Sequence, residues 1–109
     1  MAEPSLAQIF GVTATQNSTS VTITKADLSS AGFTPSSSNT AESILAAIVA
    51  FAQTNLTSAN QASNTDQSIV ITDSNDTLVS RSSVLYRRKT KIIAFDKPDT
   101  SSAFDPNAY

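Results

Sequence analysis

The chain has 109 residues, no cysteine, no histidine, two glycines and a formal net charge of −2. This length suits one domain, and the composition excludes disulfides, thiolate metal sites and the imidazole on which most acid–base catalysis near neutral pH relies. Gly11 and Gly32 are too few for a glycine-rich phosphate loop or a dinucleotide fingerprint.

Met1-Ala2-Glu3-Pro4 lacks the basic and apolar regions of a secretory signal. Leu6 to Phe10 reads as a short turn or the beginning of a strand. Val12–Thr15 and Ser20–Thr24 are β-like. In the second, Val21 and Ile23 alternate with Thr22 and Thr24. The polar Gln16-Asn17-Ser18-Thr19 between them predicts a hairpin. Lys25 to Asn39 reads as a connection punctuated by Gly32 and Pro35, with Leu28 and Phe33 as its anchors to the core.

A helix is predicted from Asn39 to about Asn55. Asn39 suits the N-cap, with Glu42 three residues on completing a capping box. Ile44, Leu45, Ile48, Phe51, Ala52 and Leu56, with Val49 beside them, form the face expected to pack on a sheet. Its most apolar run, Ile44 to Ala52, is far shorter than the ~20 residues that cross a bilayer, so no membrane partner is expected. Thr57 to Asp66 reads as a polar loop.

Ser68–Thr72 and Thr77–Ser80 are short β runs, and Asp73-Ser74-Asn75-Asp76 between them predicts a hairpin turn. The same acids begin like a calcium loop, but the central glycine is absent and Val84 stands where a bidentate Glu is needed. Val84–Tyr86 and Ile92–Phe95 are extended, joined through a cationic centre that is either one long strand or a turn near Arg88-Lys89. Lys97-Pro98 closes the domain, assigned to 1–96, and residues 97–109 form an extended tail with Phe104 and Tyr109 as its aromatics. The resulting class is α+β: a small, mainly antiparallel sheet with one helix packed on one face and an extended C-terminal arm.

Charge is segregated. Arg81, Arg87, Arg88, Lys89 and Lys91 are five of the seven cations, and the rest of the chain carries a net −7. Such a dipole orients docking. The cations can meet an acidic protein surface, neutralise phosphates with Tyr86 stacking on a base, or guard an edge strand against aggregation. Overall acidity and the lack of interleaved aromatics weigh against nucleic acid. A strand through this segment cannot be buried on either face at its middle, so it reads as a projecting arm or edge. The candidate partner-binding residues are Arg81, Arg87, Arg88, Lys89, Lys91, Phe104 and Tyr109. No catalytic, cofactor or metal residue stands out: no paired carboxylates flank a cleft, Ser-Lys chemistry has no motif here, and Glu42 is explained as a cap. Asn17, Asn55 and Asn75 begin Asn-X-Ser/Thr triplets, which a chain so rich in these residues forms by chance.

In its Ser/Thr-rich strands around Val21–Thr24, its single capped helix Asn39–Asn55, its basic β segment Arg81–Lys91 and its extended end Asp99–Tyr109, the chain resembles small tailed-bacteriophage virion proteins such as head-decoration or tail components. That resemblance implies a non-enzymatic structural subunit located in the virion, present in repeated copies and bound to like subunits or other virion proteins. The alternatives are a nucleic-acid-binding accessory protein using the 81–91 segment and a small cytoplasmic regulator that binds one protein partner.

Overall fold

The computed structural model describes residues 2–99 and 103–109; residues 100–102 of the expected tail lie outside the described residues. The architecture is α+β, helices beside small antiparallel sheets, as the patterns predict. Leu6–Phe10 forms a short helix, α1, instead of a turn or strand. Ser5 and Gln8 cap it reciprocally: Ser5 Oγ accepts from the Gln8 N–H, and Gln8 Oε1 accepts from the Ser5 N–H. Gly11 ends α1 at φ +117°, where a Cβ would stand 2.6 Å from Asp27 Cβ. The bare glycine lets the Asp27 carboxylate come close, and it accepts from the Thr13 N–H at 2.9 Å and from the Thr13 hydroxyl.

The expected first hairpin is present as β1 (Thr15–Gln16) and β2 (Val21–Thr22), with Asn17 Oδ1 accepting from the Thr19 and Ser20 N–H groups in the loop. The connection after it is a 3-10 helix, Lys25–Ala31. Leu28 and Phe33 anchor it as expected, and among the described residues Leu28 is the one fully buried side chain, at 0% exposure. Lys25 Nζ donates to the Ser36 carbonyl at 2.8 Å, so this cation holds the loop.

Helix α2 spans Ala41–Gln53. Its N-cap is Thr40, whose Oγ1 accepts from the Ser43 N–H. Asn39 instead closes the preceding turn, accepting from the Ser36 N–H and donating to the Thr34 carbonyl. The expected Asn39–Glu42 capping box is therefore corrected: Thr40 accepts equally well and stands one residue nearer the helix. The expected packing face also needs one correction. Ile44, Ala47, Ile48 and Phe51 join Leu28, Phe33 and Ile23, while Val49, Ala52 and Leu56 join Ile9, Ile69 and Ile71. Leu45 falls outside both clusters and is 62% exposed.

Ser58–Ser63, read as loop, forms a further helix, α3, with Thr57 as N-cap. Gln67 is buried beneath it and satisfied: its Nε2 donates to the Thr57 and Ile69 carbonyls, and its own carbonyl accepts from Gln61 Nε2. This amide staples α3 to the strand that follows.

That strand begins a two-stranded ribbon. β3 (Ile69–Asp73) pairs antiparallel with β6 (Lys91–Phe95), Ile71 opposite Ile93 and Asp73 opposite Lys91. Beyond them β4 (Thr77–Arg81) pairs antiparallel with β5 (Val84–Arg88). Three residues, 74–76, oppose two, 89–90, so the register slips by one through a β-bulge. The predicted turn at Asp73–Asp76 is thus a bulge between β3 and β4, and the cationic segment runs from β5 through residues 89–90 into β6 without reversing. The chain reverses at Ser82-Ser83, whose φ values of +50° and +63° are those of a type I′ turn.

The α2–β3 side of the ribbon root holds the second apolar cluster, and the Leu56 carbonyl accepts from the Ile71 N–H on the outer edge of β3. The hairpin β4–β5 continues past this body. Nine of its ten residues are exposed, so it projects. The radius of gyration is 16.2 Å, against about 13 Å for a compact domain of this length.

Candidate interaction surface

All five predicted cations lie on the ribbon, and strand alternation sorts them. On one side of the hairpin stand Thr77, Val79, Arg81, Val84, Tyr86 and Arg88; on the other stand Leu78, Ser80, Leu85 and Arg87. The Arg81 guanidinium lies over the Tyr86 ring, 4.3 Å from its centroid. Arg87 and Arg88 make no ion pair with a described residue.

The two lysines are engaged by their own chain. Lys89 Nζ lies 2.8 Å from Asp76 Oδ2 across the bulge, and this hydrogen bond and the charge behind it raise the lysine above its ordinary pKa. Lys91 Nζ lies 2.7 Å from Asp73 Oδ1 and donates to Gln53 Oε1 at 2.6 Å, tying the ribbon root to the end of α2. The hydrogen bond from Lys91 lowers the Asp73 carboxyl, with Gln53 adding to it. Counting those two aspartates, segment 73–91 carries +3 and the remainder −5. The segregation is therefore weaker than the cations alone suggest, and the free positive charge is on the arginines.

Phe104 and Tyr109 meet in the same chain. Both rings contact Phe95 edge-on, with centroids 5.2 and 5.4 Å away, and they stack on each other at 5.6 Å. The Tyr109 hydroxyl donates to the Phe95 carbonyl at 3.4 Å. The described part of the tail thus returns to β6 through its aromatics. It is not a free arm in the single chain, because packing its rings against Phe95 takes apolar surface out of water.

Sequence reasoning missed a groove of about 400 Å³ between α2 and the ribbon root. Glu42, Leu45, Ala46 and Val49 line one wall, at the i, i+3, i+4 and i+7 positions of one helical stripe, and Lys89 and Lys91 line the other. Glu42 makes no ion pair with a described residue. Leu45 gave no signal of it, since the same helical spacing is read as a face packed on the sheet.

The outer edge of β6 is a second open feature. The bonds Asp96 N–H to Ser68 O and Ser74 N–H to Thr90 O phase the rungs so that Ile93 and Lys91 turn their N–H groups away from β3. Ile92, Ile93 and Phe95 are all exposed there. Among the described residues, no cluster of three acidic side chains could hold a metal ion, and no helix is long and apolar enough to cross a membrane. Comparison of the chain with protein-family models, curated proteins and solved structures finds no match.

Proposed function

We propose that this chain is a non-enzymatic structural subunit that assembles with further copies of itself, in the manner of the small head or tail proteins of a bacteriophage virion. Surface area carries the reading. A monomeric protein of this mass exposes about 5,800 Å², whereas this chain exposes 7647 Å². The excess, about 1,900 Å², is more than the ~800 Å² that one partner contributes to a stable interface. Much of it is apolar: Leu45, Leu78, Val84, Leu85, Ile92, Ile93 and Phe104 are exposed. A two-stranded hairpin is marginal by itself, so a projecting ribbon gains stability when a neighbour covers it. The virion setting rests on the resemblance in strands, helix and basic segment.

A second reading, nucleic-acid binding, is favoured by Arg81 and Tyr86 stacked on the side of the hairpin that also holds Arg88. Against it, Asp73 and Asp76 already engage two of the five cations.

Sedimentation across a concentration series separates these readings. Self-assembly predicts species heavier than the 11.4 kDa chain, growing with concentration. A particle of chain mass at every concentration overturns the proposal. Retention on DNA that falls steeply with salt, by such a particle, favours the second reading instead.

A further inference from the structure

We infer that the β4–β5 hairpin of one copy docks into the α2–ribbon groove of a second copy, with Leu78 and Leu85 entering beside Leu45 and Val49 and Arg87 pairing with Glu42. This rests on the proposed self-assembly and specifies its contact.

The two surfaces match in chemistry. The groove is apolar along Leu45, Ala46 and Val49, with the unpaired Glu42 carboxylate at one end, and the lysines of its other wall, Lys89 and Lys91, are already paired with Asp76 and Asp73. The hairpin side that carries Leu78 and Leu85 also carries Arg87, directly opposite Leu78 in the register. Leu78 and Leu85 are 57% and 67% exposed. They also match in spacing. Leu85 and Arg87 stand about 6.8 Å apart along their strand, and Glu42 and Leu45, three residues apart on α2, are about 4.5 Å apart along the axis. Leucine and arginine can therefore reach Leu45 and Glu42 together, given the length of the arginine side chain.

A chain's own hairpin cannot fill its own groove. Lys89 already forms the groove wall, and Leu85 stands four residues, about 13 Å, farther out along the same strand. The occupant must come from elsewhere, and a second copy supplies both halves of the contact. The two registers place the extra residue on the opposite strand, so the spacing from Leu85 to Lys91 keeps one alternation across residues 89–90, which lie between β5 and β6. Leu85 and Arg87 therefore face the same side as Lys89 and Lys91, the side on which the groove opens. Each chain thus carries its tip residues and its seat on one side of the ribbon. Two chains can interlock reciprocally about a two-fold axis, or a series can close into a ring. Either arrangement covers the exposed leucines and pairs Glu42.

The chain has no cysteine, so single-cysteine variants report the contact cleanly. Leu45→Cys and Leu85→Cys chains, mixed and oxidised, should form the mixed disulfide dimer in preference to either homodimer. Arg87→Glu alone and Glu42→Arg alone should each weaken self-association about tenfold or more through like-charge contact, and the double reversal should restore it. All these positions are exposed, and circular dichroism checks that each variant retains its fold. Assembly that persists without preference for the mixed disulfide, or that ignores both charge reversals, overturns the docking and leaves self-assembly standing. A wild-type chain that never exceeds its own mass overturns both.

Discussion

At the scale of single residues, the ribbon root is an electrostatic latch. Lys91 holds Asp73 on the facing strand and Gln53 on the helix, and its hydrogen bond keeps the Asp73 carboxyl below the ordinary value of 3.8. A carboxyl held lower in the folded chain than in the unfolded one adds stability above the unfolded value. That contribution is lost as pH falls through the folded one. Both side chains are substantially exposed, so the effect on stability is small. It is nevertheless readable by NMR: the Asp73 carboxyl should titrate below 3.8, and Lys91→Met should return it toward that value. An unmoved midpoint would remove the latch from the account. Residue-level signals in the sequence were uneven. The Ser5-Leu6-Ala7-Gln8 capping box is a legible helix start, yet five residues are too short for a periodic pattern to support it. Asn39 and Thr40 are both good caps; the choice between them depended on Asn39 finding the Thr34–Ser36 turn, a contact that no linear pattern announces.

At the scale of elements, the hairpin tip carries an avoidable cost. Ser82 and Ser83 both occupy the left-handed region, which β-carbon crowding disfavours and which Asn-Gly adopts readily. Replacing them, Ser82→Asn with Ser83→Gly, should stabilise the hairpin by about 1 kcal/mol and slow amide exchange across the β4–β5 rungs about fivefold. Unchanged exchange would mean that the tip conformation does not limit hairpin opening. This turn was invisible to a reading based on turn chemistry, because Ser-Ser is an uncommon type I′ pair. Asp73–Asp76, rich in the residues that make turns, drew the prediction instead and became a bulge. The same composition serves both, since Asp and Asn tolerate the irregular backbone that each requires. Helix α3 escaped for a different reason: all six of its residues are small or polar, and its stability comes from Thr57 and the buried Gln67.

At the scale of the whole molecule, two small apolar clusters meet along α2, and among the described residues one side chain alone is wholly enclosed. A core this thin leaves little margin. If copies cover one another's ribbons, the thermal midpoint should climb as concentration rises over roughly a hundredfold range, because association binds the folded form only. A midpoint independent of concentration would mean that the chain's stability is its own. The α+β class and a projecting cationic segment were legible from periodicity and charge, while its choice between strand and turn was not, because no residue type there decides it. The groove was not, because it exists only where α2 and the ribbon root approach, 40 residues apart in sequence. The bulge has a consequence for shape. One surplus residue among 74–76 is the kind of insertion that bends a ribbon and strengthens its twist. Excising Asn75 would equalise the two strands and straighten the hairpin while leaving its pairing intact. If copies assemble as proposed, a chain so altered would present the same chemistry at a different angle, and the number of copies needed to complete a closed circle would change with it.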